Sequence, residues 1–200
     1  MLHYNKYYNA TLGVNNQIKT LEWLMLNFTL PKEPSRVRVS VWRKLKKSGS
    51  VNIGQSLWLL PLADTHEKTF QNIAEEILQN NGDAYILRSA FISMGNKSDI
   101  REMFNKARDE EYKEFIDKCE DCQYEIKKET KKSNFSFAEI EENERELQKL
   151  TDWLGTIDAR DFFGASLKKT AGKELSKCRT MLDQYCSVVY ERNTTDNNYG

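Results

Sequence analysis

Six cations and no acid occupy the stretch Ser35–Gly49, SRVRVSVWRKLKKSG, in a chain whose formal net charge is zero. Local positive charge of this kind attracts phosphate backbones and small oxyanions. Read as a helix at about 100° per residue, Val37, Val41 and Leu45 fall on one side, flanked by Trp42, and make the core face. Arg36, Arg43 and Lys47 fall together opposite, as a basic stripe over three turns. A solvated outer face is the plain alternative, but no carboxylate is interleaved, so the usual i,i+4 compensation is missing. Arg38 is expected to project toward the apolar face beside Val41 and Trp42, where a guanidinium must be paired or hold an anion. Asp161, four residues after Ile157 on a later apolar seam, is its expected partner in a buried Arg38–Asp161 ion pair.

Elsewhere the chemistry is thin. Cys119 and Cys122 fall on the apolar seam of their helix, as does Cys178 on its own, with Cys186 nearby. Small buried hydrophobes explain that placement. Cys178 and Cys186 stand eight residues, ~12 Å, apart along a helix, too far for one zinc ion. The two histidines, His3 and His66, lie in a polar leader and at a helix start, and no nucleophile-His-acid set can be assembled. No catalytic residue, metal ligand or cofactor is therefore expected. Asp161-Phe162-Phe163-Gly164 superficially reads as a kinase element but stands without the others. Trp23, Trp42, Trp58 and Trp153 are expected in the core, with Trp42 also placed to serve a pocket beside Arg38 and Arg43.

These residues need elements to hold them. Leu21–Leu30 is nearly all apolar and stops at Pro31, as a strand does. A helix from Ser35, its expected N-cap, to Lys47 stops at Gly49. Ser50–Leu60 gives one or two short strands around Gly54-Gln55, ended by Pro61. Asp64 with Glu67 is a capping pattern opening a helix striped by Phe70, Ile73, Ala74, Ile77 and Leu78, and Asn81-Gly82 ends it. Asp83–Ile92 is a last strand. The order β-α-β-β-α-β is that of the ferredoxin-like split unit. After Met94 the pattern turns helical. One helix carries Ile100, Phe104, Phe115 and Ile126. A second opens at a Ser136/Glu139 capping box and carries Ile140 to Ile157. A third runs from beyond Gly164 to about Tyr190. The expected fold class is α+β: a leader over 1–20, a ferredoxin-like domain over 21–93, an antiparallel helical hairpin or three-helix region over 94–192, and a disordered tail over 193–200.

Bulk properties bound the rest. Charged residues make up 30% of the 200, and mean hydropathy is −0.72, so the chain is polar and rich in exposed helix. No apolar run approaches the roughly 20 residues of a membrane span. With no secretory signal and too few cysteines for a disulfide framework, a cytoplasmic location is expected.

The helix with its framing strands, LPKEPSRVRVSVWRKLKKSGSVNIGQSLWLLP, resembles the N-terminal domain of the chromate-resistance regulator ChrB. Two further blocks are similar to that family in the right order: FNKARDEEYKEF (Phe104–Phe115) and IDARDFFGA (Ile157–Ala165). The resemblance spans Leu21 to Leu182. It implies a cytoplasmic bacterial regulator that binds DNA or senses an oxyanion such as chromate or sulfate. Arg36, Arg38, Arg43 and Lys44 become the candidate contacts it carries over. Full-length regulators of this kind continue into a C-terminal chromate-resistance domain, so the resemblance is to their N-terminal part.

Two other functional classes suit the same element order. A ferredoxin-like, metal-dependent nuclease would need an acid just before the proline ending its first strand, where this chain has Thr29-Leu30-Pro31. An interaction protein without DNA binding would use the second face of the sheet, covered by the C-terminal helices or by a second copy. A homodimer would also double the basic stripe and suit a symmetric DNA site.

Overall fold

The computed structural model describes residues 22–90 and 100–196, with side chains to 193. The leader over 1–20, Ile92 and the last four residues lie outside the described part. Four strands, β1 (Trp23–Thr29), β2 (Val51–Gly54), β3 (Leu57–Pro61) and β4 (Asp83–Ser89), alternate with α1 (Ser35–Lys47) and α2 (Asp64–Gln79) in the expected order. They form one antiparallel sheet ordered β2-β3-β1-β4. Three long helices follow, α3 (Ile100–Lys131), α4 (Phe137–Asp158) and α5 (Lys168–Asp196), packed on one another. The last of these runs past the expected end near Tyr190.

Strand period 2 divides the sheet residues between two cores. Leu24 and Leu26 of β1 and Trp58 and Leu60 of β3 face α1 and α2, where they meet Val41, Leu45, Phe70, Ile73 and Ile77. Trp23, Leu59 and Val51 face the other way, against Ile100 and Phe104 at the start of α3. Among the described residues the C-terminal helices cover the second sheet face beside β1, β2 and β3. On β4, Tyr85 and Leu87 stay exposed. The helical bundle has its own core, in which Tyr112, Phe115, Cys119 and Ile126 of α3 meet Leu150 and Ile157 of α4 and Leu175, Cys178 and Leu182 of α5.

Three helix starts differ in detail from the capping patterns. Pro34, extended, is the N-cap of α1, and the Glu33 carboxylate accepts the Ser35 N–H at 3.0 Å, so Ser35 is the first helical residue. Ala63 is the N-cap of α2, which places Asp64 and Glu67 in the first turn, where their charge suits the helix dipole without a capping bond. At α4, Ser136 does accept the Glu139 N–H at 3.3 Å, but the Glu139 carboxylate turns to Asn134 at 3.0 Å, so half of the box forms. The turn into β4 requires glycine for space. A Cβ on Gly82 would lie 2.4 Å from the Thr29 carbonyl oxygen, because the end of α2 is pressed onto the end of β1.

Candidate functional site

The helix α1 packs on the sheet through Val41 and Leu45, with Val37 half-buried. The rest of its surface is where the charge lies. Arg36, Arg43 and Lys47 are all exposed on the outward side, as the helical period requires. Among the described residues none of the three has an ion-pair partner. Lys44 is different: its Nζ lies 2.7 Å from Glu76 Oε2 on α2, and Ser40 donates to the other oxygen of that carboxylate at 2.7 Å. Burial pushes the Glu76 carboxyl up, but Lys44 and Ser40 outweigh it and hold the group below its ordinary range. Compensation absent from α1 itself thus comes from the neighbouring helix, and it reaches one cation.

Arg38 is exposed, which overturns its expected inward placement and the Arg38–Asp161 pair. Trp42, expected in the core, is 52% exposed beside it. The physical reason is a roll of the helix about its axis. Ser40 and Lys44 turn toward α2, so the buried strip is centred between them and Leu45, and the Arg38-Trp42-Lys46 shoulder swings into solvent. Lys46 Nζ stands 5.9 Å from the Trp42 ring centroid. The result is two cationic shoulders. On the α2 side, Lys44, Lys47, Ser48, Thr69 and Asn72 line an open groove of about 410 Å3. By helical period Arg36 and Arg43 share the side of α1 that carries Lys47, and Arg38 with Trp42 lies on the far shoulder.

Asp161 has other partners, and they belong to a charge cluster that the sequence reading missed. Its side chain is fully buried. Oδ1 accepts the N–H groups of Gly164 and Ala165 at 2.9 and 3.0 Å, and Lys168 Nζ lies 3.4 Å from Oδ2. Burial raises its pKa, but the Ala165 and Gly164 N–H groups and Lys168 more than offset this, so the carboxyl sits below its usual range. Tyr112 donates to Asp158 at 2.6 Å and to Asp161 at 3.3 Å, and burial with those two carboxylates drives its phenol pKa strongly up. Arg108, 2% exposed, reaches Glu111 at 3.1 Å, and Arg160 reaches the other oxygen of Glu111 at 2.8 Å. Burial draws the Arg108 pKa down, opposed by Glu111 and Asp161 and reinforced by Arg160.

Two anchors tie this cluster to the basic helix. Arg160 Nη1 donates to the Lys46 carbonyl at 3.3 Å, in the last turn of α1. Gly49, at φ +80°, lies against Arg160, where a Cβ would stand 3.0 Å from the arginine Cβ. Phe162 and Phe163 then plug the second sheet face, with Phe104 5.9 and 5.4 Å away and His66 4.9 Å from Phe162. The Ile157–Ala165 block is therefore a fastener between sheet and bundle. Its signal in the sequence was Arg108, which recurs at i+4 from Phe104 and i−4 from Tyr112, a charge on an apolar seam.

Cys119, Cys122 and Cys178 meet in the bundle core, buried and unbridged, while Cys186 is half-buried. Contact with Cys178 and burial push the Cys119 and Cys122 thiols far up, while Cys178 Sγ donates to the Cys119 carbonyl at 3.3 Å and accepts from Gln123 Nε2 at 3.7 Å. Among the described residues no three His, Cys, Asp or Glu side chains stand close enough to hold a metal ion. A cleft of about 850 Å3 between α3 and α4 is lined mostly by carboxylates such as Glu125, Glu142 and Glu146, the wrong sign for phosphate. Thr29, at the position where a nuclease would carry its acid, donates to Asp83 at 3.2 Å. No helix among the described residues is long and apolar enough to cross a membrane.

Compared with known proteins, the sequence matches over residues 38–196 the family described as Protein ChrB, N-terminal. No curated protein matches it, and no solved structure does.

Proposed function

The chain belongs to the family of the ChrB N-terminal domain, linked to chromate resistance, and from that premise we propose that it is a regulator holding the phosphate backbone of DNA on α1. The observation that carries this reading is the exposed row Arg36, Arg43 and Lys47, which has no ion-pair partner among the described residues. Arg38 and Trp42 extend the face on its second shoulder, a cation and an aromatic plane side by side. Lys44 contributes less, being held by Glu76. We read the sheet unit as ferredoxin-like, on its element order and its strand order. An oxyanion site built on Arg38 would need that side chain turned inward, and the exposed Arg38 offers no closed pocket for chromate or sulfate.

The test is salt-dependent binding to duplex DNA. Each phosphate neutralised contributes about 0.9 to the log-log slope. Changing Arg36, Arg43 and Lys47 together to Glu is expected to abolish binding with the far-ultraviolet circular dichroism unchanged. Affinity equal to that of the unaltered chain would reject the proposal.

A further inference from the structure

We propose that β4 is a homodimer interface, at which two copies join their sheets edge to edge through a two-fold axis at Ile86. The two edges of the sheet are not alike. At one, β2 has four residues and its pairing shifts register between Asn52 and Gly54. Short, bulged edges of that kind resist pairing with another chain. At the other, β4 pairs with β1 in unbroken register over seven residues, from Trp23↔Ser89 to Thr29↔Asp83. It contains no proline, lysine or bulge, so its outer row of N–H and C=O groups is a regular template.

The strand is also complementary to itself. Antiparallel pairing about Ile86 sets Tyr85 opposite Leu87 of the second copy, and Leu87 opposite the second Tyr85. These two are 64% and 50% exposed on one face of the edge, and Leu78, 56% exposed in the last turn of α2, flanks the other. Charge fits in the same register. Arg88, beside Glu67 at the start of α2, comes opposite Ala84 of the second copy, next to the C-terminal end of its α2. That last turn carries no basic residue of its own, and a cation there complements the carbonyl end of the helix. The occupant is thus a second copy of this chain. In the joined sheet the helices run α1-α2-α2-α1 on one face. At ~8–10 Å per neighbour the two basic helices stand ~24–30 Å apart on one side of the dimer, shorter than the ~34–36 Å of one helical turn of DNA.

The dimer goes beyond the DNA reading and is tested without DNA. Analytical ultracentrifugation of the full chain is expected to give a dimer at tens of micromolar. Tyr85→Lys with Leu87→Lys is expected to give a monomer of unchanged circular dichroism. In a second variant, Tyr85→Cys with Leu87→Cys, mild oxidation is expected to yield a covalent dimer on a non-reducing gel, whereas Asn52→Cys at the β2 edge yields none. A monomeric wild type at 100 μM, a dimer that survives the lysine pair, or equal cross-linking at both edges would each overturn the proposal, another segment or surface then occupying β4.

Discussion

The basic helix and the cluster around Arg108 use the same residue types to opposite ends. On α1, Arg36, Arg38, Arg43 and Lys47 are exposed, without ion-pair partners among the described residues. Further along the chain, Arg108 and Arg160 share Glu111, while Lys168 is matched to Asp158 and Asp161 around the Tyr112 hydroxyl. Charge in the first region is displayed, and its energy is available to a partner. In the second it is consumed in the fold, where an ion out of water must be matched or it destabilises. Arg36 apart, both regions fall within the matched residues 38–196, so family resemblance alone does not say which arginine works and which one holds.

Stability measurements separate the two. Arg108→Met is expected to cost the most, up to about 3 kcal/mol by urea unfolding. That is less than a fully stranded ion would cost, because Glu111 keeps Arg160 and the Arg108 Nε and Nη1 are buried without a hydrogen-bond partner among the described residues. A loss below 1 kcal/mol would place Arg108 with the display arginines. Asp161→Asn, which keeps an acceptor for Gly164 and Ala165 but loses the charge facing Lys168, is expected to cost about 1–3 kcal/mol at neutral pH. Its pH dependence has a definite sign. The folded pKa of Asp161 is depressed, so its stabilisation is full above the unfolded value near ~3.9 and is lost as pH falls through the lower folded value. The Asn variant should therefore lose less stability than wild type on descending below about pH 4, and parallel acid-unfolding curves would refute that assignment. Glu76→Gln comes next, at under about 1 kcal/mol, because its partner Lys44 is largely exposed. That variant is expected to bind DNA more tightly, with a salt slope steeper by up to ~0.9, as Lys44 is freed for a phosphate. Last on this scale is the Arg36, Arg43 and Lys47 triple variant, within about 0.5 kcal/mol per site. Thermal unfolding that shifted by many degrees in the triple variant would erase the distinction.

What sequence conveyed and what it withheld follow the same division. Hydrophobic period fixed the residues of α1 and the outward stripe, because angular offsets within one helix are set by geometry. It left open how far the helix is rolled. That depends on Glu76, which sits on another helix and turns Ser40 and Lys44 toward itself, carrying Arg38 and Trp42 outward. The β-α-β-β-α-β order was legible from alternation and punctuation, whereas the strand order β2-β3-β1-β4 and the open β4 edge emerge only from pairing between distant segments. The Arg108 cluster was hidden for a related reason. Arg108 shows as a charge on an apolar seam with Glu111 three residues on, but its other neighbours, Arg160 and Asp161, lie some fifty positions away.

The Arg160 guanidinium, which spans from Glu111 to the last-turn carbonyl of Lys46, makes the end of the displayed helix and the consumed cluster a single linked system. Linkage of that kind is reciprocal. Whatever free energy a ligand such as DNA would gain by fixing the C-terminal turn of α1 must appear, unchanged in size, as added resistance of the Arg160–Glu111 contact to being opened. A solute that pulled Arg160 toward the bundle would, by the same equality, loosen whatever ligand α1 holds without touching the displayed cations.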